Sequence, residues 1–210
     1  MKIEKVKLSF RYALDPIKKV DKLVLHHPAH KTWGIHDIHD FHKDKKKWSG
    51  IGYNYFITKE GRIQEGRGKY EGAHCLGHND HTLGICFQGD FEKEKMPDAQ
   101  VKAGGWLIAQ LVREYGLQLN DVVGHKDMPG ASTACPGKNF RMADVKKAAL
   151  ENINPNTKKE AVKSPTKKEV IHRVIVDGKQ IGAFSKASGV AEAIEKAVQK
   201  GAKKIEIERV

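Results

Sequence analysis

A chain of 210 residues is long enough for one well-buried domain of ordinary size with a small appendage. With 39% hydrophobic and 30% charged residues it has a globular composition, and no window approaches the roughly 18 consecutive apolar residues of a membrane span. The net charge of +12 calls for a polyanionic partner without choosing between nucleic acid, an anionic membrane face and a wall polymer, while three cysteines, an odd number, argue against a disulfide framework.

The N-terminal stretch MKIEKVKLSFRYALDPIKK is broken by charges throughout and never gathers the apolar run of about 7 to 15 residues that a secretory signal needs. Synthesis and residence in a cytoplasm is the expectation. Lys22 to Leu25 reads as a buried strand running directly into His26-His27. Ile35, Ile38 and Phe41 fall at helical spacing over Ile35 to Lys43, and Ile51 to Thr58 is aromatic and β-branched, as a strand prefers. Strand alternation places Tyr53 and Tyr55 on one face.

A turn at Lys59 to Arg62 leads to a short strand from Ile63 to Gly66, and Leu83 to Gln88 is a further apolar strand. After Pro97, an amphipathic helix from about Ala99 to Tyr115 ends at Gly116. A short strand, Asp121 to Val123, delivers Gly124-His125; Lys126 to Gly137 reads as loop, and Arg141 to Leu150 as a closing helix. This alternation predicts an α/β domain over residues 1–151. Residues 152–168 are polar and Lys-rich with two Pro, the composition of a flexible linker. Residues 169–210 predict a small ββαβ module, with Asp177-Gly178 as its hairpin turn.

His26 and His125 each end a predicted strand, and Cys135 follows His125 by ten residues in a loop able to fold back beside it. Two imidazoles and a thiolate suit a catalytic zinc, which takes about three protein ligands and keeps one open position. The spacing alone fits local roles as well, because a strand-end His is commonly hydrogen-bonded in place and a lone Cys packs as a small hydrophobe. His36, His39 and His42 recur along the predicted helix without a third ligand of matched spacing, and read as a solvated or groove-lining face.

Five blocks in order, LVLHHPA, WSGIGYNYFITKEGRIQEGR, GAHCLGHNDHTLGICFQGDF, VVGHKD and STACPG, make residues 22 to 150 resemble the type 2 N-acetylmuramoyl-L-alanine amidases. That family includes phage amidases and the peptidoglycan recognition proteins of animals. The resemblance implies a central mixed β-sheet flanked by helices and a Zn2+ cofactor held by His26, His125 and Cys135. It also implies that Tyr53 polarises the scissile carbonyl, and that Thr133 occupies a position where the family has Lys or Thr. His74 and Asn79 are implied to contact substrate in the groove.

The implied activity is hydrolysis of the bond between N-acetylmuramic acid and L-alanine in bacterial peptidoglycan, by a phage-type endolysin held in the host cytoplasm until release to the wall. The C-terminal module looks like the small wall-binding domains appended to some phage amidases, with anionic wall polymers as further candidate partners. Two rival readings are a non-catalytic peptidoglycan-binding protein and a nucleic-acid binder. The presence of Cys135 argues against the first, and the absence of exposed aromatics interleaved with the lysines argues against the second.

Overall fold

The computed structural model describes residues 1–154, 172–184 and 187–209, which fall into two compact units dividing after Pro155. Most of the predicted linker lies outside the described residues. Among the described residues no helix is long and apolar enough to cross a membrane.

The first unit is a six-stranded mixed sheet. Its strands are β1 (Ile3–Lys5), β2 (Lys22–His26), β3 (Tyr55–Ile57), β4 (Ile63–Glu65), β5 (Thr82–Phe87) and β6 (Val122–Gly124), in spatial order β1-β4-β3-β5-β2-β6. Only β3 and β4 pair antiparallel, across the predicted turn; the other neighbours are parallel. The central strands β2 and β5 are buried on both faces, which explains their nearly continuous apolar sequences. β1 was not foreseen, because IEK is too short and too polar to stand out as a strand.

Alternation sorts the strand residues onto two faces. Leu23, Leu25, Ile85 and Phe87 point to one side and pack against helices α2 (Asp98–Tyr115) and α3 (Met142–Ile153). α2 ends where Gly116 adopts the left-handed conformation, φ 66, as its sequence predicts. α3 runs to Ile153, so the predicted linker start at residue 152 is still helical. On the opposite face, Phe56 and Cys86 pack under α1 (Ile35–Asp40), which continues as a widened turn from Phe41 to Lys45.

The expected strand from Ile51 to Thr58 is shorter than predicted. β3 begins only at Tyr55, because the chain bends at Asn54, whose buried side chain holds the bend by donating to the Gly68 and Tyr70 carbonyls and accepting from Gly84 N–H. The bend breaks the alternation, so Tyr53 and Tyr55 lie on opposite faces of the sheet, contrary to expectation. That places Tyr53 on the face where His26 points.

The second unit is a three-stranded antiparallel sheet of order β8-β7-β9, built from β7 (His172–Val176), β8 (Lys179–Phe184) and β9 (Ile205–Arg209). Helix α4 (Ala187–Gln199) covers one face through Val190 and Ala193, which pack on Val174. Asp177 and Gly178, φ 48 and 81, form the predicted tight hairpin, and the Asp177 carboxylate also accepts from the backbone of Lys203 and Lys204.

Candidate metal centre and groove

β2 ends at His26 and the adjacent parallel strand β6 ends at Gly124, so His26 and His125 emerge side by side at the carboxyl ends of neighbouring strands. Their rings are 4.6 Å apart between centroids. A tight turn over His125–Asp127, capped by the Asp127 carboxylate on Gly124 N–H, sends the chain into the loop that returns with Cys135. Lys126 N–H donates to the Cys135 carbonyl, which brings the thiol back to the strand end. The three side chains expected to be ligands therefore meet: one ligand atom from each lies within 4.8 Å of the others.

The donor set fits zinc. Cys135 Sγ stands 3.6 Å from His26 Nδ1, and a tetrahedral zinc with ordinary bond lengths separates a nitrogen and a sulfur ligand by about 3.6 Å. The thiol also receives the His27 backbone N–H at 3.4 Å, a donor that favours the thiolate.

His26 is aimed from behind. Its Nε2 lies 3.0 Å from Nδ1 of His74, whose own Nε2 lies 3.3 Å from the Thr82 carbonyl. A carbonyl only accepts, so His74 carries its proton on Nε2, accepts on Nδ1 from His26, and leaves His26 Nδ1 with a free lone pair facing Cys135. This corrects the expectation that His74 contacts substrate: it is buried, with both ring nitrogens engaged inside the protein. The Asn79 side-chain oxygen accepts from the backbone N–H of His74 and of Cys75, closing the loop that carries His74.

Gly84, in the middle of β5, is what admits the His74 ring, since a Cβ there would come within 2.5 Å of it. Gly84→Ala is expected to displace His74 and loosen zinc by roughly 10- to 100-fold, the usual effect of losing an outer-shell partner. Competition with a chromophoric chelator measures this, and unchanged affinity would show that His74 does not orient His26.

Tyr53 flanks His26 on another side, with ring centroids 5.1 Å apart. Burial, with the Cys86 thiol close by, raises its pKa well above the usual phenol value, so it stays a neutral donor. Thr133 is exposed at the rim, and its Oγ1 accepts from Cys135 N–H at 3.1 Å. A pocket of about 270 Å³ opens beside His125, lined by Cys75, Leu76, Pro129 and Thr133. Cys75 thus lines this pocket, Cys86 lies in the core, and both are free.

The helical histidines divide three ways. His36 is exposed, whereas His39 is buried, 3% exposed, and bonds Ser9 O and Ile51 N–H in a structural role rather than on a solvated face. His42 packs between Trp48 and Tyr53, with its pKa pushed down to about 4 chiefly by burial.

Burial sets the protonation of the centre. His26 is driven well below 6.5 by burial first, then by His74 and His125; His74 falls to about 3 through burial, and burial likewise lowers His125. Cys135 is pushed up to about 12 by burial, against the His27 N–H. In the metal-stripped chain, unfolded imidazoles protonate near 6.5 while His74 resists to about 3, so the unfolded state binds more protons between those values. Stability then falls as pH drops through that window, by roughly 1.4 kcal/mol per unit from His74 alone. Above 9 the unfolded thiol ionises while folded Cys135 stays neutral to about 12, so stability falls again. Thermal melts of the stripped chain are expected to plateau between about 6.5 and 9, and a melting temperature rising from pH 7 to pH 5 would contradict this account.

A family model described as N-acetylmuramoyl-L-alanine amidase matches residues 16–138. Peptidoglycan-recognition protein SC2 of Drosophila melanogaster is 33% identical over 108 residues, 50% of this chain and 58% of that protein. Peptidoglycan recognition protein 3 of Mus musculus is 34% identical over 96 residues, 45% of this chain and 28% of that protein. The matched region thus spans little more than half the length of the first of these relatives and less of the second.

Among solved structures, the N-acetylmuramoyl-L-alanine amidase LysC from Clostridium intestinale superimposes with a TM-score of 0.65 at 30% identity, covering 70% of this chain and 96% of that one. The ectodomain complex of recognition proteins LCa and LCx bound to tracheal cytotoxin gives 0.61 at 30% identity, covering 67% and 92%. With the family model spanning more than half of its length and these superpositions beside it, the chain belongs to the N-acetylmuramoyl-L-alanine amidase family.

Proposed function

We propose that the chain is a zinc-dependent N-acetylmuramoyl-L-alanine amidase that cuts the bond between muramic acid and L-alanine in bacterial peptidoglycan. The observation that carries this reading is the convergence of His26, His125 and Cys135 at the ends of adjacent parallel strands, in a chain of the amidase family. These three residues would hold the metal. Zinc, when bound, supplies a Lewis acid for the amide carbonyl and lowers the pKa of its water towards about 7.

The chain's own groups do the rest. The Tyr53 hydroxyl stays protonated and donates to the lactyl carbonyl oxygen as negative charge develops there. The Thr133 hydroxyl accepts from Cys135 N–H, which leaves its own proton to donate outward to the same oxygen. His74 holds the His26 ring with its Nδ1 lone pair presented, and the His27 N–H supports the Cys135 thiolate.

Similarity to an endolysin amidase, LysCS from Clostridium intestinale, supports an endolysin role; that it is of phage type and stays in the host cytoplasm until released to the wall is part of the same proposal. The second unit is proposed as a wall-binding module. It carries a groove of about 510 Å³ in which Ile181 and Phe184 lie beside Glu192, Lys196 and Lys200, apolar and charged groups suited to a polymer of sugars and acids.

Relatives named as recognition proteins favour a second reading, peptidoglycan binding without cleavage. Mass spectrometry of purified peptidoglycan after incubation separates the two. New L-alanine amino termini, lost on chelation and restored by zinc, are the expected result. New reducing sugar ends indicate a glycosidase, and an unaltered polymer indicates a binding protein.

A further inference from the structure

The loop between His74 and Thr82 holds a second pair of imidazoles whose protons are over-committed. His78 Nε2 lies 3.0 Å from the Pro129 carbonyl, and a carbonyl only accepts, so that nitrogen carries a hydrogen. His81 Nδ1 lies 2.7 Å from the Asp80 carboxylate, whose pKa that bond lowers, so Nδ1 carries a hydrogen as well. The nitrogens left over, His78 Nδ1 and His81 Nε2, face each other across 3.2 Å. In neutral rings both present lone pairs, and two lone pairs at that distance repel unless a positive charge lies between them.

We propose that His78 and His81 form a second metal site, taking a divalent transition ion of the zinc and cobalt class with water completing its coordination. Nitrogens 3.2 Å apart, each bonded to zinc at about 2.0 to 2.1 Å, subtend an angle of roughly 100 to 106 degrees at the metal, close to tetrahedral. Both outer N–H groups are already held, one by a carboxylate and one by a carbonyl, the partners that orient ligating histidines elsewhere. Both residues are partly exposed, the His81 side chain at 33%, so an ion and its waters reach them from solvent. Ligation at His78 Nδ1 polarises the N–H given to Pro129, which ties this loop to the stretch bearing Thr133 and Cys135.

The test is zinc titration of the full chain at neutral pH, followed by native mass spectrometry, beside a His78→Gln/His81→Gln double variant and Asp80→Asn. The double variant should bind one equivalent fewer than the parent and keep the other. Asp80→Asn should keep the parent's stoichiometry with the weaker equivalent loosened about tenfold. Equal stoichiometry in parent and double variant overturns the site and leaves a shared proton between the rings. If the double variant does not fold, the Asp80→Asn arm decides: a tenfold loosening supports the site, and unchanged affinity overturns it.

Discussion

Serine in place of Cys135 is expected to abolish peptidoglycan cleavage and release the catalytic zinc. The sulfur stands 3.6 Å from His26 Nδ1 and receives the His27 N–H. A serine hydroxyl is smaller, ionises far less readily than a thiol and forms a shorter bond to a metal, so at the same backbone position it leaves the ion with two imidazoles. The loss in kcat/KM should exceed the roughly 10- to 100-fold typical of an outer-shell partner. Hydrolysis of purified sacculi, with bound metal measured by elemental analysis, checks both parts. Lysis at the parent rate would remove Cys135 from the centre altogether.

Tyr53→Phe should be nearly as damaging by a different route. The ring remains packed against His26 and His42, so fold, zinc content and KM are expected to hold. What is lost is the neutral donor that the proposed reaction assigns to the developing oxyanion, an effect of roughly 10²- to 10³-fold on kcat. The hydroxyl at Thr133 is exposed and uncharged, so it shares less of that load than a buried donor does. A rise in KM or a loss of zinc occupancy without a fall in kcat would mean that Tyr53 shapes the groove rather than assisting the reaction.

Much of this was legible in the sequence because the informative residues sit at the ends of apolar strands. KLVL and DVV announce β2 and β6, and the histidines that follow them inherit positions from the sheet. The Asp177-Gly178 turn and the Gly116 cap were equally plain, since each depends on local backbone conformation.

What escaped depends on contacts between distant segments. The bend that separates Tyr53 from Tyr55 is held by Asn54 reaching Gly68, Tyr70 and Gly84, and no periodicity within IGYNYFIT reports it. His74 was read as a groove residue on the resemblance alone, whereas its ring turns inward over Gly84. One signal was available: a glycine inside the apolar strand TLGICF marks a place where something approaches the backbone closely.

The link from the Thr82 carbonyl through His74 to His26 has a consequence for assembly. Thr82 and His26 lie on strands paired in parallel, with Lys22 opposite Thr82 and His26 opposite Cys86. The seat for the ion is therefore incomplete until two stretches far apart along the polypeptide come into register, and non-local parallel pairing forms slowly. In the proposed zinc enzyme, metal capture is expected to follow this pairing rather than precede it.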